Sequence, residues 1–246
     1  MQFLDLTLPT PQENLALDEA LLVTAEADGR AEYLRVWESP TYFVVLGRNC
    51  RVEDDVFVEN CRADGVPILR RVSGGGTVLL GPGCLNFALV LRFGRDRRLI
   101  GVAESFDLVL GRVLTATRSI DANANRAGPS DLVVGDRKFS GNSQRRQRTH
   151  LLHHGTVLYS FDCKAIARYL REPPRQPAHR KHREHQSFVG NLATDMRSLV
   201  ERLRDAWHAI DFAPDWPRPL VERLIRQKYE SLTFDRESLG SPEHIR

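Results

Sequence analysis

Apolar residues at Leu15, Leu17, Ala20 and Leu21 recur at helical spacing behind Asn14, a good capping residue, so the pattern predicts a helix from Asn14 to about Asp28. Residues 33–37 and 42–46 are rich in β-branched and aromatic side chains and read as strands joined by a Ser-Pro turn. Residues 52–62 suggest a helix ended by Gly65, and 66–72 a strand that enters a Ser-Gly-Gly-Gly loop. Strands follow at 77–80 and 85–91, parted by Gly81-Pro82-Gly83. A strongly periodic helix is predicted over 103–117, and a hairpin with strands 131–134 and 137–140 about Gly135-Asp136. One more strand at 151–159 precedes helices at 164–171, 194–209 and 217–229. The Pro-, Arg- and His-rich span 172–188 reads as a long functional loop that is mobile when empty. Strands occur in runs without regular βαβ alternation, which favours an α+β fold with a mixed sheet.

The 246 residues suit one large domain, 1–246, with a core that needs no staples. Four cysteines (Cys50, Cys61, Cys84, Cys163) show no C-x-x-C pairing and are too sparse for a disulfide scaffold. The first basic residue is Arg30, which argues against a leader and for a cytoplasmic protein. Residues 72–91 carry no charge, yet five Gly, a Pro and an Asn make them a poor membrane span. Of 35 basic residues only four are Lys (Lys138, Lys164, Lys181, Lys228). Where Arg is the usual cation, a Lys marks a place suited to a compact, rotatable ammonium. Cations concentrate in 137–148 and 168–185. Each stretch is a solvated face or the footprint of an anion or acidic partner. Neither has the interleaved aromatics that nucleic-acid binding uses.

Three segments can carry chemistry. Arg70-Arg71-Val-Ser-Gly74-Gly75-Gly76-Thr77 has glycines that allow close backbone approach and two arginines at a strand end. It is neither a P-loop nor a Rossmann fingerprint; a tight turn and an anion site are equally served. Asp131-Leu-Val-Val-Gly-Asp-Arg-Lys138-Phe-Ser-Gly-Asn142 puts a rare Lys just past a hairpin, where it reaches a phosphate or carboxylate in a pocket or is an ordinary exposed Lys. In Leu151-Leu-His153-His154-Gly155-Thr156 the adjacent histidines point to opposite faces of a strand, a poor arrangement for sharing a metal. His179, His182 and His185 lie among cations, which disfavours a divalent ion, so no protein-held metal is expected.

In this order, and with Val45-Leu-Gly-Arg48-Asn, Asn86-Phe and Gln144-Arg-Arg146, these segments resemble the lipoate–protein ligase A family of the biotin/lipoate ligase superfamily, over residues 10–195. The resemblance implies a mixed sheet flanked by helices, like the catalytic core of class II aminoacyl-tRNA synthetases. It implies ATP-driven activation of lipoate or octanoate to the acyl-adenylate, with ATP as its Mg2+ complex, and transfer to a lysine of a lipoyl-domain or glycine-cleavage-H-like acceptor. Carried onto this chain, Arg70, Arg71, Gly75, Gly76, Thr77, Val78, Leu79, Asp131 and Lys138 hold nucleotide. Lys138, Gly74, Gly75, His154 and Gly155 hold lipoate, and Lys138 is the catalytic residue. Asp131 meets the nucleotide or orients Lys138. Trp37, Val44 and Leu46 line an apolar slot or are plain core. Arg180, Lys181 and Arg183 of the long loop meet phosphate or the acceptor's acidic surface.

Two departures qualify the resemblance. Acyl transferases of the superfamily use a cysteine just before the Asp-Leu strand; here 123–131 has none, and Cys84 is the one rival. Larger ligases carry a C-terminal accessory domain, which is not expected within this chain, so a separate accessory protein enters as a partner. A transferase working without ATP and a non-catalytic lipoate or nucleotide binder are the competing functions. Biotin ligation lacks its Gly-Arg-Gly-Arg loop.

Overall fold

A computed structural model describes residues 1–174 and 176–229 of the chain. Arg175 of the long loop and residues 230–246 of the expected 1–246 domain lie outside the described residues. The chain runs β1 (Gln2–Asp5), α1 (Pro11–Asp28), β2 (Tyr33–Trp37), β3 (Phe43–Leu46), α2 (Val52–Asp55), α3 (Val58–Ala63), β4 (Ile68–Arg70), β5 (Val78–Leu80) and β6 (Cys84–Arg92). It continues through α4 (Val102–Arg118), β7 (Ala124–Ala127), β8 (Asp131–Val134), β9 (Arg137–Arg146), β10 (His150–Leu158), α5 (Cys163–Tyr169), α6 (His185–Phe188), α7 (Met196–Trp207), β11 (Asp211–Phe212) and α8 (Arg218–Leu224).

Eight strands form one mixed sheet in the order β11-β1-β2-β6-β10-β9-β8-β7, and β4-β3-β5 form a second, smaller one. Side chains alternate across the large sheet and feed two cores. Tyr33, Trp37, Ala88, Val90 and Leu152 face α1, α8 and the small sheet. Leu34, Val36, Phe87, Leu89 and Leu151 face α4 and α7. β6 is uncharged from Cys84 to Leu91 because both of its faces are covered. No helix among the described residues is long and apolar enough to cross a membrane.

The expected α+β mixed sheet is present, with several differences of detail. α1 starts earlier: Thr10 is the cap, its hydroxyl taking the Glu13 N–H while Glu13 reaches back, and Pro11 fits the first turn. Asn14 lies inside the helix, buried and bonded to both backbone groups of Leu8. The predicted 52–62 helix breaks at Val56 and Phe57. Val56 is extended and bridges Leu170, and Phe57 N–H donates to Tyr169 O at 2.8 Å. The Ser-Pro and Gly-Pro-Gly turns do not close hairpins, since β2 and β6 belong to the large sheet and β3 and β5 to the small one. β9 extends to Arg146 because β10 continues to pair with it beyond the hairpin. β1, β7 and β11 had no sequence reading; at two to four residues they are too short for alternation to register.

Candidate active site

The glycine-rich loop between β4 and β5 is built by its carbonyls. Arg71 Nη2 donates to Gly74 O at 2.5 Å and Gly76 O at 2.8 Å, Nη1 to Val45 O, and Nε to Ser73 Oγ at 3.0 Å. Ser143 Oγ on β9 also donates to Gly74 O, and Cys50 Sγ to Gly75 O. Gly75 has φ +84, and a Cβ on Gly47 would collide with the Gly75 carbonyl, so these two positions require glycine. The amides are left over: Gly74, Gly75 and Gly76 N–H have no hydrogen-bond partner among the described residues. Satisfied carbonyls with free adjacent amides give the loop the electrostatics of an anion cradle.

Arg71, expected to hold nucleotide, lines the cavity, and its guanidinium also braces the loop through the carbonyls it donates to. Burial pulls it down to about 10, so it stays charged at neutral pH and gives the cradle a positive floor. Arg70 lies outside the cavity, donating to the carbonyls of Gly47, Arg48 and Cys50. Gly74 is likewise absent from the cavity wall, whereas Gly75, Gly76, Thr77, Val78 and Leu79 line it. Thr77 Oγ1 donates to Asp55 Oδ2 at 2.5 Å, tying the loop's far end to α2.

Across from the loop, the tight β8–β9 hairpin with Gly135 at φ +59 brings Lys138 Nζ to 2.8 Å from Asp131 Oδ1. The other carboxylate oxygen takes the His179 Nε2–H at 3.1 Å. Of the two roles open to Asp131, orienting Lys138 is the one this geometry supplies. Lys138 keeps a quarter of its side chain exposed, toward the cavity.

β10 sends its two histidines to opposite faces, as alternation requires. His154 lines the cavity: Nε2 meets Ser73 Oγ at 2.5 Å, and Nδ1 lies 3.9 Å from Asp18 Oδ2. Asp18 is paired at 2.6 Å with Arg35, which is fully buried and also donates to Asn14 and to Leu6 O. His153 packs between Phe87 and Phe106 on the other face. Burial holds it near 3, so it is neutral, with Nε2–H donating to Asn142 Oδ1 and Nδ1 accepting from Gln144. Gly155 has a packing reason: a Cβ there would fall on Asn142 Oδ1 and 2.7 Å from Phe87.

These groups surround one cavity of about 890 Å³. Its apolar wall includes Leu15, Trp37, Val45, Leu79, Phe139 and Ile166. Of the three residues left open between slot and core, Trp37 lines the cavity, while Val44 and Leu46 point into the core and Val45 between them faces the cavity. The long loop forms the outer wall as a folded strap. Arg180 is buried against Glu172 and over Phe188, and Arg183 donates to Asp136 Oδ2 at 2.6 Å, so neither is an open cation for phosphate. Lys181 is exposed.

Among the described residues no three His, Cys, Asp or Glu cluster as a metal site. All four thiols are pushed up by burial: Cys61 to about 11, Cys84 furthest of all, and Cys50 and Cys163 less. Cys84 is fully buried and outside the cavity wall; only Cys50 lines it. Sequence reasoning passed over Asp18, Ser73 and Ser143, and weighed His179 only as a metal ligand. Polar Asn14 and Asp18 one turn apart on an apolar helix face were a readable signal. His179 had none, since its partner is 48 residues away.

The family model of the lipoyl protein ligase A/B catalytic domain matches residues 10–206. A sequence of Aeropyrum pernix named for lipoate-protein ligase A is 33% identical over 236 residues, covering 96% of this chain and 78% of the relative. Against three further relatives the chain spans between 42% and 50% of their length. Among solved structures, a bi-partite lipoate protein ligase of Thermoplasma acidophilum, described with its E2 lipoyl domain, superposes with a TM-score of 0.76 at 22% identity, covering 93% of both chains. A lipoate-protein ligase A bound with ATP gives 0.77 at 21% identity, covering 93% of this chain and 95% of that one. With cradle, lysine and apolar cavity on one scaffold of that fold, and the family match over most of its length, this chain belongs to the lipoyl protein ligase A/B catalytic-domain family.

Proposed function

We propose that this chain is an ATP-dependent lipoate–protein ligase, which converts lipoate, or octanoate, to the acyl-adenylate and passes the acyl group to a lysine of an acceptor protein. The observation that carries this reading is the single cavity that joins an anion cradle and Lys138 to an apolar slot. When the acid's carboxylate attacks the α-phosphate, charge builds on phosphoryl oxygens and pyrophosphate leaves. Preorganised donors are worth most there, because they need no reorientation at the moment of reaction. The free amides of Gly75 and Gly76, with the Thr77, Val78 and Leu79 backbone, hold the nucleotide. Lys138, oriented by Asp131, reaches both phosphate and acyl carbonyl. Gly75, His154 and Gly155 flank the lipoate carboxyl end, and the apolar wall takes the acyl chain. Mg2+ would enter as part of the ATP complex, where it would neutralise charge on the triphosphate.

The acceptor is a lipoyl domain or a glycine-cleavage-H-like protein, by analogy with the Thermoplasma ligase and its E2 lipoyl domain. That ligase is bi-partite, so a second component belongs in the assay. We place the reaction in the cytoplasm. Acyl transfer through a cysteine has little support, since the thiols are buried or held protonated. The test is pyrophosphate release with ATP and lipoate, with and without an E2 lipoyl domain and with and without the second ligase component. Lipoate-dependent release with lipoylated acceptor is expected. Binding of ATP and lipoate with no release would leave only a binding protein.

A further inference from the structure

His179 lies on the strap, far in sequence from the glycine-rich loop and the hairpin. Adenylate formation as derived above makes no use of it. Its Nε2–H is committed to Asp131 Oδ2, the oxygen opposite the one that holds Lys138. A carboxylate only accepts, so this bond fixes the tautomer with the lone pair on Nδ1. Nδ1 has no hydrogen-bond partner among the described residues. The ring leans on Phe188, with centroids 5.6 Å apart. Its Nδ1 edge faces the backbone of Gly128, an exposed glycine with φ +63. A Cβ there would sit 3.2 Å from Nδ1, so the glycine leaves that edge uncrowded. The charged groups nearest the ring are Asp131, Lys138 on the same carboxylate, Arg183 donating to His179 O, and Arg126 donating to Gly128 O.

An imidazole locked in one tautomer by a buried carboxylate, with its other nitrogen unbonded on a ring that lines the cavity, is the arrangement of a general base. Adenylation needs none, because the attacking carboxylate is already ionised. The second half-reaction does need one. The acceptor amine, neutral when it attacks, forms a bond from nitrogen to the acyl carbon and still carries two protons. Collapse breaks the bond from the acyl carbon to the phosphate oxygen and releases AMP, and the amide forms only when one of those protons leaves the nitrogen. We infer that His179 Nδ1 takes that proton, with Asp131 holding the ring and the same carboxylate holding Lys138 at the carbonyl. His179 is then a catalytic residue for acyl transfer to an amine. This rests on the ligase reading.

The test supplies synthetic lipoyl-AMP to the full chain and compares aminolysis by Nα-acetyl-lysine amide with that by hydroxylamine. Hydroxylamine is already neutral at pH 7 and is a strong nucleophile that gains little from a base. In His179→Gln, whose amide N–H can still reach Asp131, the ratio of lysine to hydroxylamine aminolysis should fall about a hundredfold. In His179→Ala, added imidazole should restore most of the lysine rate. Thermal melting of both variants shows whether they are folded. A wild-type ratio in the Gln variant, or equal loss with both nucleophiles and no imidazole rescue in the Ala variant, overturns the inference alone. A wild-type chain that makes no lipoyl-AMP from ATP and lipoate even with the second component present overturns the ligase reading and this inference with it.

Discussion

The glycine-rich loop and the strap face each other across one cavity and are anchored by different bonds. In the loop, arginine and serine side chains donate to backbone carbonyls, backed by the buried Ser73–His154 contact and the Asp18–Arg35 pair. At the strap, arginines also donate to carbonyls (Arg183 to Asp136 O, Arg137 to Gln186 O and Val189 O), but the ion pairs there have exposed acids: Glu172 and Asp136 are 45% and 78% exposed. Buried, satisfied networks lock one geometry, while exposed ion pairs are worth about 0–1 kcal/mol each and are screened by salt. The difference separates a preformed wall, suited to charge that develops in a transition state, from a wall that can open for substrate and acceptor.

The comparison breaks most severely at Asp18. Asp18→Ala leaves Arg35 buried without its counter-ion, and removal of one member of such a pair costs about 3–5 kcal/mol. Chemical denaturation should show that loss; a near-wild-type midpoint would mean the loop wall does not depend on this pair. Lys138→Ala tests the site at its ion pair with Asp131. Adenylation should drop about a hundredfold or more, with melting near wild type. Lys138→Arg should fail too, because a planar fork does not replace a point charge.

His153 gives the rigid side a pH signature. Its ordinary value is 6.5 and burial lowers it to about 3 in the fold, so between those limits the unfolded chain takes a proton that the folded chain refuses. Its contribution is complete above about pH 6.5 and is lost as pH falls toward 3, at about 1.4 kcal/mol per pH unit. Acid unfolding of His153→Gln should therefore be flatter than wild type between pH 6 and 4 (about 2–3 kcal/mol less loss). Parallel curves would place the acid sensitivity elsewhere. On the strap, Arg183→Ala should lower stability by no more than about 1 kcal/mol yet speed protease cutting within 172–189. Cutting of the wild type should slow when lipoate and ATP are added; equal cutting throughout would make the strap a static surface loop.

How much of this was legible in the sequence follows the range of the interactions. The glycine-rich turn and the Lys138 hairpin are legible as turns, because triple glycine and Gly135-Asp136 act over a few residues, while their chemistry stayed open in the sequence. The alternation that sends His153 and His154 to opposite faces was equally local. The two-sheet split was not, since nothing in Ser39-Pro40 or Gly81-Pro82-Gly83 says which sheet the next strand joins. Arg71 could be read as a cation, but its engagement by three loop and strand carbonyls depends on β3 lying beside β4. The strap arginines looked like free charge for the same reason: Asp136 and Phe188 become their partners only when the strap packs on the β8–β9 hairpin.

The central claim is activation as an adenylate, with no covalent acyl-enzyme. A variant with all four cysteines changed to Ala or Ser tests it most directly, incubated with ATP and lipoate and analysed for lipoyl-AMP by mass spectrometry. Lipoyl-AMP at a rate near wild type is the predicted result. Acyl transfer from a lipoyl- or octanoyl-carrier substrate without ATP, present in wild type and lost in Cys84→Ala, would contradict it.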